Sequence, residues 1–491
     1  MRLRAAGCPR ISARADGYFF REKTTIEKED SMKVVVAGAG LGGLVAAEKL
    51  GRLGLDVTVY EKAASLDEMR YDWHDDVNPR IFRRLSIDMP EERFKKKSWT
   101  FVSPFGEVVR EFRQDEEHAD YSVERRPLNK LLCDRAAEVA KIVFGAKVTA
   151  PVVQEGRVAG IIVNGEEVPA DLVVDAMGVD SALRKALPRE LGITECRDDE
   201  VFVAYRAFYE KDTEAPAPRY TNKAYLKHMG EAGISWAIQD NDPGLVNVLV
   251  GRLGKMTDKQ LADALADLKK NNPTIGNRVM RGGIVCRIPV RYPATRMVAD
   301  GYAAVGDSAY MTIPMLGSGI ASSMLAGMLL AQTVGENMSR GYKGKELFKA
   351  SRLWRYQVKV YREFGAEHCA IDVLKRGVLN MNNEMLDWML GSDLLTNDEI
   401  GKLAGGGMMR VGVAEAFRKI GVAGFKKLGK LLKINNMLQK SLMAYRCAKN
   451  IPRNYNDNII KGWESRLAAY YRKSRKEAKQ EAAEKQTAQI L

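Results

Sequence analysis

Gly38, Gly40 and Gly43 stand at the spacing GxGxxG, directly behind a run of β-branched residues at 33–37. There the first glycine permits a tight turn, the second admits a pyrophosphate to backbone N–H groups, and the third lets the next helix pack on the strand. Leu41 lies inside the turn, and residues 44–54 read as a helix whose unpaired N-terminal N–H groups favour an anion. A second strand at 55–60 runs into Glu61 and Lys62, about 20 residues past the glycines, where a carboxylate accepts both hydroxyls of an adenosine ribose. An acid at Glu61 repels a 2′-phosphate, so this chemistry points to tightly held FAD or NAD rather than NADP.

Two further groups of residues could act beside such a nucleotide. Tyr71, Trp73, His74, Asp75 and Asp76 follow the second strand, ahead of an Asn78-Pro79 turn. A loop here that curls back to the cofactor's reactive end would let His74, Tyr71 or Asp75 exchange a proton, whereas a solvated loop would leave Trp73 packed on the domain edge. Arg125 precedes an amphipathic helix carrying Leu128, Leu131, Leu132 and Ala136, placed to reach a phosphate or a ring carbonyl, or else to lie on the surface. Farther on, a strand at 302–305 leads to Gly306-Asp307, then a loop from Pro314 through Gly317 to Gly319 and Ile320, then a long small-residue helix. Asp307 suits a ribose or ribityl hydroxyl, and the start of the helix directs positive charge at a pyrophosphate or at the N1–O2 edge of a reduced flavin. Trp73, Trp236 and Tyr310 are the expected substrate-pocket residues.

The elements that must position these residues define an α/β chain: a Rossmann-like nucleotide-binding domain, an inserted antiparallel β-sheet substrate domain and a helical C-terminal region. The expected boundaries are a leader at 1–31, the nucleotide domain at 32–195 and 297–340, and the β-rich insertion at 196–296. Helices follow over 341–462, and a charged tail over 463–491. Within the insertion, Trp236, Tyr205, Phe208 and Tyr225 are expected to form one wall for an apolar or aromatic substrate. Residues 98–102 and 108–112 read as a hairpin, and 142–168 as a small antiparallel meander.

A net charge of +14 and a pI near 9.3 call for an anionic partner, and much of the excess lies toward the C-terminus. There Phe417, Ile420, Phe425, Leu428, Leu431 and Leu432 alternate in helical phase with Lys419, Lys426, Lys427, Lys430 and Lys433, chemistry for an anionic bilayer surface or for packing on the protein itself. No nucleic-acid motif accompanies the charge. The six cysteines are dispersed without CxxC spacing, so no metal site is expected, and reduced thiols fit a cytoplasmic or membrane-associated protein.

The pieces GAGLGGLVAAEKL…VTVYEK, VVDAMGVDSALRK and GYAAVGDSAYMTIPMLGSGI, in that order, resemble the FAD-binding signatures of flavoproteins with the p-hydroxybenzoate hydroxylase fold. Within that group the chain looks most like the geranylgeranyl reductase family, over roughly residues 32–340. The resemblance implies FAD held by Gly38, Gly40, Gly43, Glu61, Arg125 and Asp307, with Pro314, Gly317 and Gly319 beside the isoalloxazine. Arg125 enters through the family pattern Arg-x-x-Leu-x-x-x-Leu, here Arg125, Leu128 and Leu132. It also implies reduction of a C=C bond in a lipophilic or conjugated substrate. Electrons would come from NAD(P)H or from a ferredoxin or flavoprotein, since no second GxGxxG is present. The chain departs from the family at YDWHDDVNP, where members carry a cysteine–glycine-rich segment, and at Ser318, where they carry an acid. An aromatic-ring monooxygenase and a non-catalytic lipid-escort protein are the alternative expectations on this fold.

Overall fold

The computed structural model describes residues 32–69, 71–95, 98–113, 120–392, 396, 399 and 427–472. The leader at 1–31, most of the basic pattern between Phe417 and Lys426, and the tail beyond 472 lie outside the described residues.

Lys33–Ala37 and Leu172–Asp175 are apolar runs that pair in parallel at the centre of a six-stranded sheet. Asp56–Tyr60 and Lys141–Val143 extend this sheet on one side, and Tyr302–Ala304 and Val298–Ala299 on the other. Strands buried on both faces read as continuous hydrophobic runs, which is the pattern here. Helix Leu41–Gly51 begins immediately after the glycine turn, three residues before the expected start at 44, because the turn closes within Gly38–Gly40. The long helix Ile320–Ser339 crosses it so closely that a Cβ added at Gly327 would stand 2.4 Å from the Gly42 carbonyl oxygen. The small-residue composition of this helix is what permits that approach.

The substrate layer is a seven-stranded sheet in the order Ile275–Pro289, Val201–Lys211, Leu245–Leu253, Gly233–Gln239, Asn222–Leu226, Ser98–Val102 and Val109–Arg113. The hairpin at 98–113 joins this sheet through a parallel pairing with Asn222–Leu226, so the chain enters the layer twice. One face is covered by helix Asp258–Asn271, over Ala207, Tyr209, Tyr225, Val248 and Val250. The other presents Ala204, Phe208, Leu249 and Cys286 to Trp73. Two-residue periodicity thus separates the expected aromatic wall: Phe208 and Trp236 lie on the Trp73 side, while Tyr205 and Tyr225 pack on the helix side.

Residues 71–79, read from sequence as a loop, contain strand His74–Val77, which pairs antiparallel with Tyr121–Glu124; Arg93–Lys95 completes this small sheet. The meander forms from Val148–Gln154, Arg157–Val163 and Glu166–Pro169. In the C-terminal region, helices Ala350–Val360 and Ala366–Leu379 join through one wide turn at Tyr361–Gly365, followed by Asn383–Gly391, Leu428–Lys449 and Asp457–Ala468. Among the described residues no helix is long and apolar enough to cross a membrane, and no grouping of His, Cys, Asp or Glu suits a metal ion.

Candidate active site

The glycine turn is held by strain-free means only because Gly38 sits at φ +94°, with a Cβ there falling 2.7 Å from the Ala176 carbonyl oxygen. The Glu61 carboxylate, 8 % exposed, spans the turn: one oxygen accepts from the Ala39 N–H at 2.9 Å and the other from the Ala63 N–H at 3.0 Å. Its remaining lone pairs are available to two hydroxyls. Helices Leu41–Gly51 and Ile320–Ser339 both begin at a glycine, Gly40 and Gly319, without any side-chain cap, so each leaves first-turn N–H groups for an anion.

Asp307 lies in the turn Gly306–Ala309, half-buried, and no donor among the described residues reaches its carboxylate. Burial pushes its pKa up to about 6, against the pull of nearby Arg125. Arg125 bonds Asp75 Oδ2 at 3.2 Å through Nη1, while its buried Nε has no partner. An unmet cation donor, an unmet carboxyl and two uncapped helix starts form the donor and acceptor set that a flavin dinucleotide requires, so these residues fit FAD.

Behind this surface Asp175 locks three loops together. It accepts from Ser181 Oγ at 2.5 Å, Ser308 Oγ at 2.8 Å, Tyr302 Oη at 2.8 Å and the Met177 N–H at 3.1 Å. Arg184 adds bonds to the carbonyls of Gly178, Val179 and Ser308. The motif VVDAMG signals this aspartate, whose work is to fix the turn before Asp307 rather than to touch a ligand.

On the substrate side the row 71–76 is brought against the seven-stranded sheet. Arg206, which sequence reasoning missed, is the buried cation at this junction: it donates to Asp75 Oδ1 at 2.8 Å, the His74 carbonyl at 2.7 Å and Asn247 Oδ1 at 3.3 Å. Its guanidinium also stands 5.3 Å from the Trp73 ring centre, 5.5 Å from Phe208 and 5.7 Å from Trp236. The available signal was phase, since Arg206 shares the inward register of Ala204 and Phe208. Asp75, held by Arg125, Arg206 and the Trp73 indole N–H at 3.2 Å, is an anchor rather than an open carboxylate. Tyr71 lies 5.1 Å from Trp73 with Arg125 over its ring at 5.3 Å. His74 is fully buried, with Nδ1 on Ser122 and Nε2 on Asp240.

Tyr310 is displaced from the expected pocket. It is fully buried in the core of the nucleotide layer, its hydroxyl on the Thr194 carbonyl at 3.0 Å, and Arg184 and Arg291 lie over its ring. A left-handed backbone at φ 59° turns the side chain inward. Trp73 and Trp236 do share the site-facing cluster, bordered by Ile288, and a Cβ at Gly317 would lie 3.7 Å from Ile288. The Pro314–Gly319 loop therefore abuts the apolar sheet face, and the Ser318 hydroxyl donates to the Asp76 carbonyl at 3.4 Å.

Residues 36–76 match the NAD(P)-binding Rossmann-like domain family. The digeranylgeranylglycerophospholipid reductase of Sulfolobus acidocaldarius is 23 % identical over 439 residues, covering 87 % of this chain and 94 % of that protein. A geranylgeranyl bacteriochlorophyll reductase-like protein from Thermoplasma acidophilum superposes with a TM-score of 0.66 at 20 % identity, over 83 % of this chain and 99 % of that one. A flavin-dependent brominase shares the fold at a TM-score of 0.56 and 18 % identity, over 77 % and 94 % of the two chains. The fold is thus one shared with reductase-like and flavin-dependent proteins. In sequence and in fold the chain is similar to the digeranylgeranylglycerophospholipid reductases and to the geranylgeranyl bacteriochlorophyll reductase-like protein.

Proposed function

We propose that the chain reduces C=C bonds of a polyisoprenoid-type lipid. The observation that carries this reading is the apolar sheet face of Ala204, Phe208, Leu249, Trp236 and Ile288, closed by Trp73 and set against the Pro314–Gly319 loop. The partly exposed residues packed on this cluster, Phe202, Trp236, Ile284 and Ile288, would take up a flexible hydrocarbon by area burial, at about 25 cal/mol per Å². Bound FAD supplies the hydride. Glu61 and Asp307 would hold its hydroxyls, Arg125 and the two helix starts would hold its anionic parts, and Pro314, Gly317 and Gly319 are the residues proposed for its ring. Lys62, Leu41 and Ile320 flank these contacts. The Asp75–Arg206 pair orients strand His74–Val77 against the lipid face, so the matching proton comes from that strand, with Tyr71 at its edge as the second source.

The lipid would reach the site from a membrane surface. Helix Leu428–Lys449 contains Lys430, Lys433, Lys440, Arg446 and Lys449 and no acidic residue, while its exposed side carries Leu428, Leu432 and Met443. This composition supports contact with an anionic bilayer. Electrons would arrive from transient NAD(P)H or a small redox protein. The test is anaerobic incubation of the dithionite-reduced holoenzyme with a digeranylgeranyl phospholipid. Mass spectrometry should show two hydrogens gained per double bond, and unaltered lipid together with an oxygen-dependent hydroxylated product would overturn the reading.

A further inference from the structure

His74 belongs to a line of four hydrogen-bonded side chains that crosses from the substrate sheet to the small sheet. Its Nε2 lies 2.7 Å from Asp240 Oδ2 and its Nδ1 2.9 Å from Ser122 Oγ, and that hydroxyl donates to Asp76 Oδ1 at 2.7 Å. His74 and Ser122 are fully buried, Asp240 is 7 % exposed, and Asp76 is half-buried. The rings of Phe94 and Phe208 stand edge-on to the imidazole at 4.8 and 5.4 Å.

Protons can be counted along it. A serine hydroxyl has one hydrogen. When Ser122 gives it to Asp76, Ser122 can only accept from Nδ1; the imidazole then donates at both nitrogens and is cationic. When the hydrogen turns toward Nδ1, the imidazole is neutral and Asp76 must carry the proton. The two arrangements differ by one proton moved across the hydroxyl, with every heavy atom in place.

The charges facing the imidazole support both. Burial, the largest single influence, presses the Asp240 carboxyl upward, yet the bond and charge of His74, the Asp242 N–H and Arg281 together keep it below the usual carboxylate range. Asp75 on the same strand is neutralised by Arg125 and Arg206. Glu124, opposite His74 in the strand register, is paired with Arg281 at 2.7 Å, and Arg281 also acts on Asp240. Asn247 Nδ2 approaches Nε2 at 3.4 Å. Asp76 stands at the far end, where its carbonyl meets the Ser318 hydroxyl of the loop bordering the apolar face.

We propose that this line is a one-proton relay in which His74 stores the proton, Ser122 passes it and Asp76 delivers it to the substrate. It rests on the C=C reduction proposed above. One alkene carbon gains a hydride, whose electron pair comes from the reduced cofactor, and its neighbour gains the Asp76 carboxyl proton. Asp76 holds that proton because Ser122 has already passed it its own hydrogen and taken the one on Nδ1, so delivery leaves Asp76 ionised and His74 neutral with its hydrogen on Nε2. Half-buried Asp76 then takes a proton from water, and its return along the same line recharges His74 at Nδ1. Asp76 is the proton donor; His74, Ser122 and Asp240 act through it as positioning residues.

The chain has four histidines, so ¹⁵N imidazole spectra of the FAD-loaded protein can be assigned to His74 by the signal lost in His74→Gln. Both nitrogens should carry protons in mildly acid solution, with Nδ1 alone losing its proton as pH rises, and Asp76→Asn should lower that midpoint by about one unit or more. With dithionite-reduced protein and a digeranylgeranyl phospholipid, Ser122→Ala and Asp76→Asn should each lower kcat at least about tenfold at unchanged KM and flatten the basic limb of the pH profile. A His74 that stays in one neutral tautomer from mildly acid to alkaline pH, or a folded Ser122→Ala variant with the wild-type profile, would overturn the relay. A wild-type protein that leaves the lipid unreduced removes the C=C reading instead, and the imidazole spectra still decide where the proton resides.

Discussion

Two buried clusters of charge in this protein are built to opposite ends. Where helix Ala366–Leu379 meets the substrate sheet, Glu200 binds Arg291 at 2.9 Å and Arg376 at 3.1 Å, and Asp372 binds Lys375 at 2.8 Å and Arg376 at 3.1 Å. Lys375 also donates to the Val290 carbonyl, and Asp372 accepts from the Tyr292 N–H at 3.2 Å. Every charge is answered inside the protein, and the Arg376 and Lys375 guests hold the Asp372 carboxyl below its ordinary range despite burial. Around Asp307 and Arg125 the opposite holds: a carboxyl without a donor, a guanidinium Nε without an acceptor and helix starts without caps. The first cluster docks a helix. The second leaves its hydrogen-bonding capacity unspent, which is what the cofactor site proposed above requires.

Breaking the closed cluster should have the largest effect. Asp372→Ala strands Lys375 in the interior and leaves Arg376 only its Glu200 partner, and should cost about 3–5 kcal/mol of stability, read as a lowered urea midpoint. The open cluster should respond in the other direction. The Asp307 pKa is raised by burial to about 6 from an ordinary value of 3.8, so its protonated form is favoured by folding. Its stabilising contribution is complete below about pH 4 and is lost as pH rises through about 6. Asp307→Asn should therefore stabilise the apoprotein by about 2 kcal/mol near pH 8 and scarcely at all near pH 4, while weakening FAD. Melting curves of both apoproteins across that range measure the gap. Arg125→Ala should weaken FAD by about 1.5–3 kcal/mol, the range of a hydrogen bond to a charged group, seen by flavin fluorescence titration. The smallest stability change should come from Leu432→Ser with Met443→Ser on the exposed helix face, within about 0.5 kcal/mol. That pair should nevertheless reduce cosedimentation with anionic vesicles.

Sequence reveals the open cluster better than the closed one, for a physical reason. Gly38, Gly40, Gly43, Glu61 and the Gly306-Asp307 turn act through local backbone geometry, so their spacing along the chain carries the information. Pairings such as Glu200 with Arg376, or His74 with Asp240, join residues far apart in sequence and leave no spacing to read. Strand His74–Val77 escaped for the same reason. His-Asp-Asp-Val is a poor strand by composition and is held in place by Tyr121–Glu124 and by Arg206 from another layer. Arg206 was detectable only by its register within an otherwise apolar inward row, and the inward turn of Tyr310 depends on one left-handed residue that composition does not announce.

The central claim is that the open cluster holds FAD beside a lipid-reducing face. The direct measurement is the visible spectrum of purified protein, bleached anaerobically with dithionite and then mixed with a digeranylgeranyl phospholipid in the absence of oxygen. The account predicts flavin bands that disappear on reduction and return at a rate set by the added lipid. A colourless protein that cannot be reconstituted with FAD, or a reduced flavin that the lipid leaves unchanged and only oxygen restores, would contradict it.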